Sequence, residues 1–186
     1  MLKTQKKEFN VLFVGEGASG KTQVVSCLNG NAYIEEYNPT IEDIYHLPIN
    51  DHFYIKITDV AGQLEYTVLV EQYYETTDCI FICFSINDWN QFERTKTWWY
   101  DEIRKKSLTV PVFLVGTKAD LKENEYEKNY LKSVGKKFVS SKDAINMAME
   151  IGALGYVECS AKFNVGINFL FEKLKKIAND KMAVNN

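Results

Sequence analysis

Val11-Leu12-Phe13-Val14-Gly15-Glu16-Gly17-Ala18-Ser19-Gly20-Lys21-Thr22 couples a wholly apolar run to a glycine-rich loop that ends in lysine and threonine. An apolar run without alternation is what a parallel strand buried on both faces requires. The loop fits the phosphate-loop pattern and leads into a helix through Val24, Val25 and Leu28. Its glycines let the backbone wrap closely enough for successive amides to face phosphate oxygens, and the helix N-terminus adds a favourable dipole. Lys21 is expected to bind β- and γ-phosphates, and Thr22 to ligate magnesium. A plain glycine-rich turn is the competing reading, and the strand before and helix after argue against it.

Outward from this stretch, Cys79-Ile80-Phe81-Ile82-Cys83-Phe84 and Val110-Pro111-Val112-Phe113-Leu114-Val115 are likewise continuously apolar, and read as further central strands. Helical spacing follows at Ala144, Met147, Ala148 and Ile151, and again at Ile167, Leu170, Phe171, Leu174 and Ile177. Ser140 with Asp143 forms a capping-box signature before the first of these helices. Residues 41–49 and 52–58 look extended and are joined by Asn50-Asp51, so they read as a hairpin, with Pro48 placing its first strand at a sheet edge. The expected architecture is α/β of the phosphate-loop NTPase type. A doubly wound, mostly parallel six-stranded sheet carries one antiparallel edge strand and helices on both faces, with ligands beyond the strand C-termini.

The chain has 186 residues and a mass of 21.5 kDa, which favours one domain. A net charge of -3 gives no general attraction to nucleic acid, and none is expected as a partner. Cys27, Cys79, Cys83 and Cys159 have neither CxxC spacing nor a disulfide framework, and Met1 to Asn10 lack the apolar core of a signal peptide, so a reducing cytoplasm is expected. No cysteine lies in Met182 to Asn186, so membrane association is expected only through a lipidated C-terminus beyond these residues, at the cytoplasmic face.

Two more motifs discriminate among phosphate-loop proteins. Asp59-Val60-Ala61-Gly62-Gln63 follows an extended run; an aspartate there can hold magnesium directly or through water, Gly62 can offer its amide to a γ-phosphate, and Gln63 can orient water. Thr117-Lys118-Ala119-Asp120 and Ser160-Ala161-Lys162 each follow a strand and face the same side. A carboxylate at Asp120 accepts hydrogen bonds from the guanine ring N–H and exocyclic amine, whereas adenine presents an acceptor there. Guanine is therefore expected over adenine.

These residues together resemble the Ras superfamily of small GTPases, most closely its Rho family, over about residues 10–178. GEGASGKT is similar to the phosphate loop, Tyr37-Asn38-Pro39-Thr40-Ile41-Glu42-Asp43 to switch I, DVAGQLEY to the start of switch II, and TKAD and CSAK to the guanine loops. The Rho likeness rests on Phe81-Ile82-Cys83-Phe84-Ser85, on Trp99-Tyr100 with Glu102, on threonine in VGTKADL, and on Glu150-Ile151-Gly152-Ala153 before Val157-Glu158-Cys159-Ser160.

The resemblance implies a domain over residues 10–178, with residues 121–137 as a Rho-type insert, between a flexible N-terminus at 1–9 and a tail at 179–186. It implies nucleotide contacts from Glu16, Gly17, Ala18, Ser19, Gly20, Lys21, Thr22 and Gln23, from Tyr33, Tyr37, Thr40 and Gly62, and from Thr117, Lys118, Asp120, Leu121, Ser160, Ala161 and Lys162. Metal ligands would be Thr22, Thr40 and Asp59, and the catalytic pair Gln63 and Lys21. Side chains at the Gly17 position obstruct hydrolysis in the family. A monomer that binds GTP or GDP with Mg2+ is implied, hydrolysing slowly until an activating protein adds an arginine. Exchange factors, activating proteins and effectors would bind through Tyr37 to Asp43 and Gln63 to Tyr74, in control of the actin cytoskeleton and cell shape.

The chain also departs from the pattern. The hairpin between Thr40 and Asp59 is about three residues shorter than is usual in the family, Val60 replaces a threonine, and Thr67 to Tyr74 do not resemble the arginine- and proline-containing switch II helix. Lys173, Lys175, Lys176 and Lys181 read as a solvated helix face. A nucleotide-holding scaffold and an ATP-dependent phosphotransferase stay open as alternatives at this point.

Overall fold

A computed structural model describes residues 7–35, 41–62, 67–107 and 109–184. The sheet has six strands: β1 (Lys7–Val14), β2 (Glu42–Pro48), β3 (Phe53–Val60), β4 (Cys79–Ser85), β5 (Val112–Thr117) and β6 (Tyr156–Glu158), in the spatial order β2-β3-β1-β4-β5-β6. Every neighbouring pair is parallel except β2 with β3. The hairpin turn is held by the Asn50 Oδ1 atom, which accepts from the amides of His52 at 2.8 Å and Phe53 at 3.0 Å. Pro48 lies on the edge strand opposite Tyr54, where its missing donor costs little.

Alternate side chains of the central strands bury on opposite faces. On one face Phe9, Val11 and Phe13 pack with Val24, Val25 and Leu28 of α1 (Lys21–Leu28) and with Ile167, Leu170, Leu174 and Ala178 of α7 (Ile167–Val184). Phe13, Phe81 and Phe113 occupy paired positions on three adjacent strands and stack with ring centroids 5.0 and 5.1 Å apart. On the other face Leu12, Val14, Ile80 and Ile82 meet Val70 and Tyr74 of α2 (Thr67–Tyr74) and Ala148 of α6 (Ser141–Glu150). They also meet Trp99 and Ile103, which belong to a run of three helical pieces: α3 (Trp89–Arg94), a π-helical segment (Thr95–Tyr100) and α4 (Asp101–Lys106). The capping box at Ser140 is formed in both directions.

Residues 121–137 take in the end of a short 3-10 helix (Ala119–Glu123), all of α5 (Glu125–Ser133) and the irregular stretch after it. The terminal elements extend past residues 10 and 178. β1 begins at Lys7 with Phe9 fully buried, and α7 runs through Val184 rather than stopping near residue 178. Lys7 and Glu8 are too polar to signal a strand, yet each pairs with β3. On α7, Lys175 pairs with Glu172 and Lys181 with Asp78, which accounts for part of the lysine-rich face within the fold itself.

β1 is flanked by β3 on one side and β4 on the other, so the chain switches direction across the sheet there. A crevice at the C-terminal end of β1 results, which is where ligands bind in doubly wound sheets.

Candidate functional site

The loop after β1 sits in that crevice. Gly15 has φ 140°, and a Cβ on it would come within 2.1 Å of the Cys83 carbonyl oxygen on β4, so only glycine passes this strand. Ala18 takes φ 57°, and Gly20, at φ 86°, forms the N-cap of α1. The Lys21 Nζ atom folds back and donates to the carbonyls of Gly15 and Glu16, both at 2.8 Å, and to the Ser19 hydroxyl at 3.3 Å. Burial lowers the pKa of this ammonium, opposed mainly by the nearby Asp59.

Asp59 lies within β3, beside Phe13 of β1 and Asp43 of β2. Its Oδ2 atom accepts from the Thr22 hydroxyl at 2.6 Å, and its Oδ1 atom is buried with no hydrogen-bond partner. Burial pushes its pKa up to about 6, with Thr22 and then Lys21 pulling the other way. A spare anionic oxygen next to a threonine hydroxyl suits a hard cation. Among the described residues no three His, Cys, Asp or Glu side chains cluster as metal ligands. Gly62 lies against the same loop, since a Cβ there would approach the carbonyl oxygens of Glu16 and Gly15 to 2.4 Å.

The other end of the crevice is a cavity of about 310 Å³, lined among others by Gln23, Tyr33, Lys118, Asp120, Leu121 and Lys162. Gly20, Thr117 and Ala161 also border it, so the helix cap of the phosphate loop opens into the same space. Asp120 is held by the Ser160 hydroxyl, which donates to its Oδ1 atom at 2.6 Å. Ser160 is fixed in turn by paired backbone bonds with Val165, at 2.9 and 3.0 Å. The Ala119 amide donates to the Cys159 carbonyl at 3.1 Å, joining the two loops that follow β5 and β6. Thr117 is buried, and its hydroxyl reaches both the Ser19 carbonyl and the Phe84 carbonyl, the latter at 3.2 Å, so it spans from this end to the phosphate loop. Gln23 accepts from the Ile34 amide at 3.2 Å, beside Tyr33.

Thr22 and Asp59 thus lie together beside Lys21 at one end of the crevice, and Tyr33, Lys118, Asp120, Leu121 and Lys162 line the cavity at the other. Tyr37, Thr40 and Gln63 lie outside the described residues. Next to them, the Ala61 amide donates to the Ile41 carbonyl at 2.9 Å and the Tyr73 hydroxyl donates to the Glu42 carboxylate. Burial, then this bond, pushes the Tyr73 pKa up to about 12, so the phenol stays a donor. Sequence reasoning missed a set of side chains behind the phosphate loop. Glu16 accepts from Arg94 and Trp99, and Gln91 reaches the Gly17 carbonyl at 3.4 Å. Nothing in the local pattern marks them, since each partner is more than 70 residues away in the chain.

Residues 10–180 match the Ras family. GTP-binding protein RHO3 of Saccharomyces cerevisiae is 32% identical over 195 aligned positions, which take in 92% of this chain and 84% of the relative. Ras-like GTP-binding protein RhoL of Drosophila melanogaster is 35% identical over 178 positions, 94% of this chain and 89% of the relative.

Proposed function

This chain belongs to the Ras family of small GTPases, which hydrolyse GTP to GDP, and on that premise we propose that it is a Rho-like molecular switch. The observation that carries the reading is that Gly20, the phosphate-loop residue next to Lys21, and Asp120 line one cavity. Asp120, held by Ser160, would accept the two guanine N–H donors, with Lys118 and Tyr33 beside the base. Loop amides and Lys21 would hold the β- and γ-phosphates, and Gln63 would orient the attacking water. Mg2+, held by Thr22, Thr40 and Asp59 directly or through water, would neutralise charge developing on the phosphate oxygens.

Thr40 and Gly62 would engage the γ-phosphate and release when it leaves, so that the segments Tyr37 to Asp43 and Gln63 to Tyr74 signal nucleotide state to effectors. Slow turnover would be raised by an activating protein and reset by an exchange factor. We extend the reading to work in the cytoplasm as a monomer, with control of the actin cytoskeleton and cell shape, as the Rho-family resemblance implies. A scaffold that holds nucleotide without switching is the second reading, favoured by the Ala61 and Tyr73 bonds that pin the two segments together.

Extraction of nucleotide from purified protein should yield GDP or GTP and no adenine nucleotide. Phosphate release from a single loaded GTP should be measurable and should collapse in Gln63→Leu; an unchanged rate removes Gln63 from the mechanism. Equal tryptophan fluorescence in GDP and a non-hydrolysable GTP analogue would favour the scaffold instead.

A further inference from the structure

The run from Trp89 to Lys106 changes its winding in the middle, where Thr95–Tyr100 is a π-helical segment between α3 and α4. Short π segments inside helices are rare and occur frequently at functional sites. Arg94 at the start of this segment and Trp99 within it both bond the same atom. The Arg94 Nε atom reaches Glu16 Oε1 at 2.7 Å, and the Trp99 indole N–H reaches it at 3.1 Å. Residues five apart on an α-helix point about 140° away from one another. A π turn, closed between residues five apart, stacks them on one side. The change of winding is therefore what lets both donors converge on one carboxylate.

The clamp is held from behind as well. The Arg94 guanidinium lies over the Trp98 ring, 5.2 Å from its centroid, and Trp99 is buried in the core beneath the sheet. Glu16 in turn is where the phosphate loop is gripped. Its carbonyl accepts from Lys21 Nζ at 2.8 Å and limits how close Gly62 can come. The Glu16–Arg94 pair is partly shielded, with side-chain exposures of 21% and 34%. One residue of the loop thus has its side chain fixed by the π segment and its carbonyl fixed by the phosphate-binding lysine.

We propose that Arg94 and Trp99 are positioning residues for nucleotide phosphates, acting through the Glu16 side chain, and that the π segment is the device that places them. The assignment rests on the nucleotide-binding reading above. It deepens that reading by naming residues that touch no ligand. Loosening the clamp lets the Glu16 carbonyl drift from Lys21, so the lysine and the adjoining amides lose their aim at the β-phosphate while the base end is untouched.

The test is the dissociation rate of a fluorescent GDP analogue from the Mg2+-loaded full chain, read beside competition by GMP, which lacks the β-phosphate. Arg94→Ala loses a charge-assisted hydrogen bond and Glu16→Gln the charge that assists it, in a partly shielded site, and each should speed GDP dissociation by about tenfold. The double variant should be no faster than either one, and Arg94→Lys should recover only part of the loss because it lacks the Nε donor. GMP affinity should stay at its wild-type value in all of them. Wild-type dissociation rates in Arg94→Ala, multiplying effects in the double variant, or GMP and GDP weakened by the same factor would each overturn the assignment. If Arg94→Ala cannot be purified folded, Arg94→Lys and Glu16→Gln decide by the same criteria. A wild-type chain that retains no GDP would sink the nucleotide reading itself, a result distinct from any of these.

Discussion

The two ends of the crevice are made of different material. At the phosphate end the work falls to backbone: glycines where a Cβ would strike main-chain atoms, three positive-φ residues, and carbonyls that hold Lys21. At the base end the shape comes from side chains, namely a carboxylate held by a hydroxyl and a buried threonine spanning the loops. Phosphate is compact, highly charged and nearly symmetrical, so many equivalent donors serve it. A purine differs from its competitors in one or two directed hydrogen bonds, so it needs a side chain placed with direction. The first end should therefore fail by collision, the second by loss of a bond.

The largest effect is expected from Gly15→Ala. Its new methyl group would sit on the β4 backbone, which no rotamer change relieves. Denaturant titration should show a loss of at least about 3 kcal/mol together with loss of bound nucleotide. A wild-type midpoint would break the contrast. Next, Asp120→Ala removes the acceptor proposed for the guanine edge and should weaken GDP by about 100-fold while leaving inorganic pyrophosphate affinity unchanged. Equal losses for the two ligands would mean that the ends are not separable.

A smaller effect comes from pH. Asp59, whose pKa burial raises to about 6, is protonated below that value, and the neutral acid is a poor ligand for a divalent cation. Mg2+ affinity of the GDP complex should then be level above about pH 7 and fall as pH drops, by about tenfold per unit below 6. Titration of Mg2+-dependent GDP retention checks this, and Asp59→Asn should flatten the profile. The smallest effect is set for Thr117→Val, which keeps the volume and removes the hydroxyl shared between Ser19 and Phe84. About 1 kcal/mol of stability should go, with a modest rise in GDP dissociation, read by thermal melting and stopped-flow fluorescence.

Much of the fold was legible because the second half of β1 (Val11 to Val14), nearly all of β4 and the first four residues of β5 are buried on both faces and so are apolar without a break. The hairpin announced itself through Asn50 and Pro48, and the start of α6 through Ser140 and Asp143. Less legible were elements whose stability is tertiary. α2, over Thr67 to Tyr74, has no acidic residue in its first turn and no basic one in its last, and is held by Val70 and Tyr74 against the sheet. The π segment could not be read from a helical period, because its reason is a carboxylate far away in sequence. Within the crevice the phosphate and base loops followed from local spacing. Their mutual support through Thr117 and Glu16 did not, being a property of which strands lie side by side.

The stacked rings of Phe13, Phe81 and Phe113 run across the middle of the sheet, beneath strands whose far ends carry both the phosphate loop and the base loop. Amide hydrogens of β1, β4 and β5 should accordingly be the last in the molecule to trade with deuterium, surrendering it only when the whole chain unfolds. Loops hinged on so unyielding a floor can part and let a bound molecule go on their own clock, leaving the strands beneath them intact.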